Sequence, residues 1–408
     1  MSHQSKKQGS TIDLSQYPVV DSHCHPFLPG KEEKILVGKE RIKKRFDQLF
    51  GVSLFPNPKL HTENVIFYRK AMKELARVLG CPFKFDMIIK RRNEVYANPR
   101  EYIMKLFDEA KIDTLLVDMG FPSEMDPATG YSVPLGEFQN LVNCKLKCIY
   151  RIEQPIFDLY QTVPPFEDLL EHYEESLEHA VKREGYVGFK TIIAYDFGLE
   201  IHVEDEQAAR AAYERLREKK LLTEDSMMMD RKTRSEAKIL FDYLICRSIE
   251  KSIDLEIPFQ IHTGFGDTPI DVRAANPLHL FEVITDEELR KAQIVLVHAG
   301  YPYVEETGLL ANTYPNVYID LSEMMPFIGP GMKEKVLQLL YMAPTTKIMF
   351  GSDGYNNPEI FWIAAIWGKQ AISEALQDLV HSDVIDEDYA YKAGSLILSE
   401  NAIRLYKL

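Results

Sequence analysis

Eight short β-rich runs, separated by stretches compatible with helix, constrain this chain more than any other feature. They read PVVDSH (18–23), IDTLLVDMG (112–120), KCIYRIE (147–153), VGFKTIIAY (187–195), EIPFQIHTG (256–264), QIVLVHAG (293–300), NVYIDLSE (316–323) and KIMFGSDG (347–354). Several are almost continuously apolar, as strands of a parallel sheet covered on both faces must be. Charged helical stretches such as HLFEVITDEELRKA lie between them. Strands alternating with helices in this number predict an α/β fold, a (β/α)8 TIM barrel. Two gaps are too long for simple units. Residues at about 30–110 and 200–251 are expected to be helical insertions after strands 1 and 4, and KEEKILVGKERIKKRFDQLF, ENVIFYRKAMKELARVLG and DEQAARAAYERLREKKLL read as amphipathic or solvated helices. In a barrel these insertions belong to the catalytic face, as lids or contacts of a homodimer. With no repeat, low-complexity segment or flexible linker, residues 1–408 are expected to form one elaborated domain.

The runs tend to end in chemically expensive residues. Strand 1 runs into VVDSHCH, where alternation would send His23 and His25 to one side and Cys24 to the other. Cys24 then reads as a small buried apolar residue. Strand 4 contains Lys190, strand 5 ends in His262, strand 6 in His298 and strand 8 in Asp353. The carboxyl ends of barrel strands converge, so four histidines, a carboxylate and a lysine would share one pocket. The other seven histidines fall away from strand ends and read as surface or structural. Nitrogen and oxygen donors of this kind suit zinc, manganese, iron or nickel. Lys190 leaves two options open. Buried beside cations, it would have a depressed pKa and could react with carbon dioxide to give a bridging carbamate; otherwise it faces outward or pairs with a carboxylate such as Glu153.

Composition narrows the partners. The chain is 45 % hydrophobic and 27 % charged, with a net charge of −14, which makes it a poor ligand for nucleic acid or an anionic membrane surface. Its first twenty residues contain no apolar signal core, and no run is long enough to span a bilayer. Five cysteines without a CxxC pair read as reduced thiols. A cytoplasmic protein acting on a small molecule is the expectation.

HCH, FK, QIHTG, LVHAG and GSDG together resemble the amidohydrolase superfamily of metal-dependent barrel hydrolases. VGFKTIIAYDFGLEI, HTGFGD with DVRAANPLHL, and GSDGYNNPEIFWIAAIWGKQAI are similar to one branch of it. That branch is the amidohydrolase-related domain found alone in bacteria, or fused in front of a glutamine-synthetase-like domain in FluG and nodulin-type proteins. The resemblance covers most of residues 15 to 405. It implies His23 and His25 on one metal, His262 and His298 on a second, Lys190 as a carboxylated bridge, and Asp353 as ligand and proton acceptor. Zinc is the foremost candidate, in one or two ions.

These residues predict a hydrolase of C–N, amide-type bonds in a small carboxylate-bearing molecule, using a metal-activated hydroxide with Asp353 as proton shuttle. Fusion of relatives to a synthetase-like domain suggests a γ-glutamyl amide by analogy. Arg273 and Arg151 could each grip a substrate carboxylate bidentately, or be held in ion pairs with Asp271 or Glu153. Asp21 and Asp267 fit partners that orient the histidines. Trp362 and Phe361 would either line the pocket or pack in the core. Two other readings stand beside the hydrolase. One is a mononuclear-metal, non-oxidative decarboxylase with His298 as acid–base; the other is a non-catalytic scaffold.

Overall fold

The structure, a computed structural model, describes residues 11–29, 34–37, 40–43, 60–61, 63–120, 133–222, 229–267 and 270–408. Eight strands form one sheet: β1 (Val19–Cys24), β2 (Ile112–Asp118), β3 (Lys145–Arg151), β4 (Gly188–Thr191), β5 (Phe259–His262), β6 (Ile294–Val297), β7 (Val317–Asp320) and β8 (Ile348–Met349). They pair in chain order and every pair is parallel. The barrel closes where β1 meets the chain beyond β8. Ser22 N–H donates to Phe350 O at 3.0 Å, Asp353 N–H to His23 O at 2.9 Å, and His25 N–H to Gly354 O at 2.8 Å. The architecture is the (β/α)8 barrel expected from the eight runs.

Two apolar cores flank the strands. Inside the barrel, Val20, Leu116, Ile149, Val295, Val297 and Met349 pack together with Ala402, Leu405 and Tyr406 of the last helix, Asn401–Tyr406. Outside, the larger core lies between the sheet and its helices and takes in Cys24, Phe27, Phe107, Phe361 and Trp362. Cys24 is therefore a buried small residue, and Phe361 and Trp362 are core residues that do not line the site.

The insertion after β1 is only partly helical. Helix Ile66–Leu79 buries Phe67, Ala71, Met72, Leu75 and Leu79, spaced at helical intervals, and stops at Gly80, which takes the left-handed φ of 64°. The stretch expected as its neighbour differs. Lys34–Val37 and Glu40–Lys43 pair as an antiparallel hairpin, and residues 44–50 of that expected helix lie outside the described residues. Ile35, Val37 and Ile42 are β-branched residues that favour strand over helix. In the β4–β5 connection, Arg231–Asp254 is the crossover helix of the barrel unit, half of it buried, so only the segment containing Glu206–Lys219 is additional.

Helix Phe85–Val95 of the first insertion is fixed to helix Pro358–His381 by a fully buried ion pair, Arg92 Nε to Glu359 Oε1 at 2.7 Å and Nη2 to Oε2 at 3.3 Å. The Tyr96 ring lies 3.5 Å from the guanidinium carbon. Breaking a buried pair leaves the remaining charge uncompensated at a cost of about 3–5 kcal/mol, whereas replacing both partners by apolar groups is often near neutral. Arg92→Leu is therefore expected to lower the melting temperature by several degrees, and the double variant with Glu359→Leu to recover most of that loss in a thermal-unfolding assay. Equal melting temperatures for wild type and Arg92→Leu would refute the assignment.

Candidate metal centre

At the carboxyl ends of the strands lies a cavity of about 240 Å³ lined by His23, His25, Arg151, Lys190, Tyr195, His262, Asp267, His298, Glu323 and Asp353, with Ile192, Phe327 and Tyr355. The six expected ligand positions are thus gathered in one place, joined by Arg151 and Asp267. Their donor atoms fall into two overlapping groups, since donors of His23, His298 and Asp353 also lie within 4.8 Å of one another.

The first group belongs to β1 and the loop after β8. His23 Nε2 and His25 Nε2 each stand 3.3 Å from Asp353 Oδ1, and that oxygen has no hydrogen-bond partner among the described residues. Donors about 2.1 Å from a shared tetrahedral cation stand roughly 3.4 Å apart, so this spacing fits a metal. Burial raises the Asp353 pKa, but His23, His25 and His298 outweigh it and hold the carboxyl well below the usual carboxylate range. Burial and the Lys190 charge push His23 down to about 4. A neutral imidazole with a free lone pair is the form that binds metal.

The second group carries a stronger argument. His262 Nε2 lies 3.0 Å from Phe265 O, and His298 Nδ1 lies 3.2 Å from Ser322 O. A carbonyl only accepts, so each of these ring nitrogens carries the hydrogen. Burial lowers both imidazole pKa values well below the ordinary range, helped at His262 by His298 and at both by Lys190. In neutral rings the other nitrogens are then bare. Those atoms, His262 Nδ1 and His298 Nε2, face each other at 3.0 Å. Two buried lone pairs aimed at one point repel unless a cation lies in reach of both, and the carbonyls that fix the tautomers are the partners typical of metal-bound histidines.

Lys190 joins the groups. It is 1 % exposed, and its Nζ is 3.4 Å from His23 Nε2. Burial depresses its pKa to about 8, with Arg151 adding to the effect and Asp118 and Asp353 opposing it. Glu153, the alternative partner, is committed elsewhere: its Oε1 accepts from the Thr191 hydroxyl and from Ile192 N–H at 2.8 Å.

The backbone is strained where the site is built. His298, Glu323 and Asp353, at the ends of β6, β7 and β8, have φ of 70°, 57° and 52°. Such conformations cost a non-glycine residue about 1–3 kcal/mol each. A Cβ on Gly266 would collide with the Tyr195 hydroxyl and His262 Nε2, so glycine lets this loop lie over the histidine.

The expected supporting residues need revision. Arg273 is not brought to the cavity; its side chain is 89 % exposed and bonded to Asp271, because DVRAANP forms a surface turn. Arg151 does line the cavity, but its ion-pair partner is Asp118, not Glu153. Asp21 accepts from Ser352 N–H at 2.9 Å, from the Ser352 hydroxyl and from His23 N–H at 3.4 Å. It therefore fixes backbone rather than an imidazole ring. Asp267 donates its N–H to Tyr195 Oη at 3.1 Å, and the Tyr195 ring packs on His262 with centroids 4.6 Å apart.

Asp118, Tyr195 and Glu323 were given no role on sequence grounds, although each closes or nearly closes a strand run. Asp118 has a carboxylate oxygen within 4.8 Å of donor atoms of His23 and His25. Burial favours its neutral form, but Arg151 and these histidines hold it ionised. Glu323 is pushed the other way, well above the usual range, by burial and by Asp353 and Asp267.

A closed parallel barrel with this donor set is the architecture of metal-dependent amidohydrolases, and residues 170–408 match the Amidohydrolase family. The chain belongs to that family. It is 26 % identical to Protein fluG of Emericella nidulans over 97 % of its own length and 46 % of that protein, so it spans about half of this curated relative. A proposed metal-dependent hydrolase from Lactobacillus casei ATCC 334 superposes with a TM-score of 0.79 at 26 % identity, over 98 % of each chain. An uronate isomerase from Bacillus halodurans C-125 shares the fold, with a TM-score of 0.62 at 15 % identity over 96 % of this chain and 94 % of that one. No helix among the described residues is long and apolar enough to cross a membrane.

A ligand that binds only the folded state at 100 to 1,000 times its dissociation constant stabilises it by about 2.7–4.1 kcal/mol. Dialysis against a chelator is accordingly expected to lower the melting temperature, and zinc or manganese to restore it. A melting temperature indifferent to chelator and to either metal would contradict a built metal centre.

Proposed function

We propose that this protein hydrolyses a C–N bond of amide type in a small carboxylate-bearing molecule, with zinc as the foremost metal. The observation that supports it best is the pair of bare nitrogens on His262 and His298, standing beside the His23–His25–Asp353 set, with Lys190 reaching His23. Two donor sets with a lysine between them suit two cations. Divalent ions in such a site polarise a carbonyl and make water acidic enough to attack at neutral pH.

The chain's own groups supply the rest. Asp353, held ionised, takes a proton from the attacking water and passes it to the leaving amine. Lys190, with its pKa near 8, has a neutral fraction at physiological pH that can add to carbon dioxide, releasing one proton and leaving an anionic carbamate between the two donor sets. Arg151 gives Nε and Nη2 to Asp118, which leaves Nη1 donors for a substrate carboxylate. A γ-glutamyl amide carries a carboxylate of the required kind.

The His23–His25–Asp353 triad is also a sufficient start for a one-metal site, which favours a second reading, a mononuclear decarboxylase with His298 as acid–base. Metal content per chain separates the two. The hydrolase is expected to hold about two metals, as two-metal hydrolytic sites do, with a lower content in Lys190→Ala and release of amine from amide substrates. One metal, unchanged in Lys190→Ala, would remove the carbamate bridge and turn the search to decarboxylation.

A further inference from the structure

Glu323 is a buried cavity carboxyl outside the six ligand positions assigned above, although one of its oxygens lies within 4.8 Å of donor atoms of His262 and His298. Its side chain is 8 % exposed, it lines the cavity, and its Oε2 has no hydrogen-bond partner among the described residues. That oxygen lies 3.7 Å from His298 Nδ1, the nitrogen whose hydrogen goes to Ser322 O. Glu323 therefore faces the edge of the His298 ring away from the bare Nε2. Its backbone is held at φ 57°, ψ −50°, which keeps the carboxylate aimed at this place rather than along the strand. Glu323 sits in the field of Asp353 and Asp267, with Lys190 opposing them, whereas Arg151 sits in that of Asp118 and Glu153.

A buried carboxyl oxygen without a hydrogen-bond partner is costly unless a guest supplies donors. A primary ammonium brings one positive charge and three donors. We propose that Glu323, with Asp267 beside it, recognises a primary ammonium group on the substrate. The guest is then zwitterionic and amino-acid-like, with its carboxylate at Arg151 and its amide at Asp353. This rests on the amide-hydrolase reading for the position of the scissile bond, but the ammonium subsite is testable without turnover.

L-Glutamine and glutaramate differ only in the α-ammonium group. Binding of each to the metal-loaded protein is measured by calorimetry, hydrolysis by ammonia release, and metal content by elemental mass spectrometry. Glutamine is expected to bind roughly tenfold more tightly or better, the usual loss when a charged hydrogen-bonding partner is left unpaired. Glu323→Gln is expected to bring glutamine to the level of glutaramate while leaving glutaramate binding and metal content unchanged. Equal binding of the two compounds by wild type, binding of neither, or loss of metal in Glu323→Gln would each overturn the proposal. Preference in binding without ammonia release would retain the ammonium subsite and remove amide hydrolysis. Equal binding with equal hydrolysis would do the reverse.

Discussion

The hydrogen bonds between β1 and the chain beyond β8 govern the rest of the molecule. Parallel pairing alone carries the sheet from β1 round to β8, and an open sheet would leave His23 and His25 at one edge and Asp353 at the other. Three backbone bonds, reinforced by the Asp21 carboxylate on Ser352, bring those edges together. The contact that closes the barrel therefore also completes the first donor group. Below it, Gln260 donates to Ser22 O and to Tyr406 Oη, each at 2.8 Å, and Asp320 accepts from the Ser22 hydroxyl. The closing strand is tied to the far side of the barrel and to its C-terminal helix, so site geometry and global packing share the same residues.

Against this support stands a concentration of unfavourable features at the strand ends. Left-handed backbone at His298, Glu323 and Asp353, neutral buried histidines and unpaired carboxylate oxygens each oppose folding. A scaffold with one apolar core inside the strands and another outside can hold such a cluster in place. The strain is informative because it has no packing benefit: an apolar residue in ordinary strand conformation would fold better at any of these positions.

Much of this was legible in the sequence because it depends on strand order alone. Apolar runs ending in His, Lys or Asp specify both a buried parallel strand and the chemistry at its carboxyl end, so His23, His25, Lys190, His262, His298 and Asp353 could be placed together in advance. Residues whose role depends on a turn could not. Arg273 sits in DVRAANP, where a local bond to Asp271 decides its direction, and nothing in the spacing reveals that. Glu323 is three residues beyond the end of β7, where alternation no longer tells which way a side chain points. In the first insertion, KILV and ERIK carry charges compatible with a helix face, yet they pair as antiparallel strands.

The same distinction bears on specificity. An isomerase and a proposed hydrolase both superpose on this barrel, so the fold does not select a reaction. Selection falls to cavity residues that barrel closure does not require. Arg151 is held by Asp118 at one place, Glu323 and Asp267 face the cavity at another, and Tyr195 covers His262. A metal at either donor group would activate many carbonyl compounds alike. On the proposed reading, a cavity of about 240 Å³ with the Arg151 guanidinium at one place and the Glu323 carboxyl at another admits few of them in a reactive orientation. On the same reading, substrate choice is set by the spacing of the Arg151 guanidinium and the Glu323 carboxyl relative to Asp353, while the metal donors set the kind of bond that can be broken.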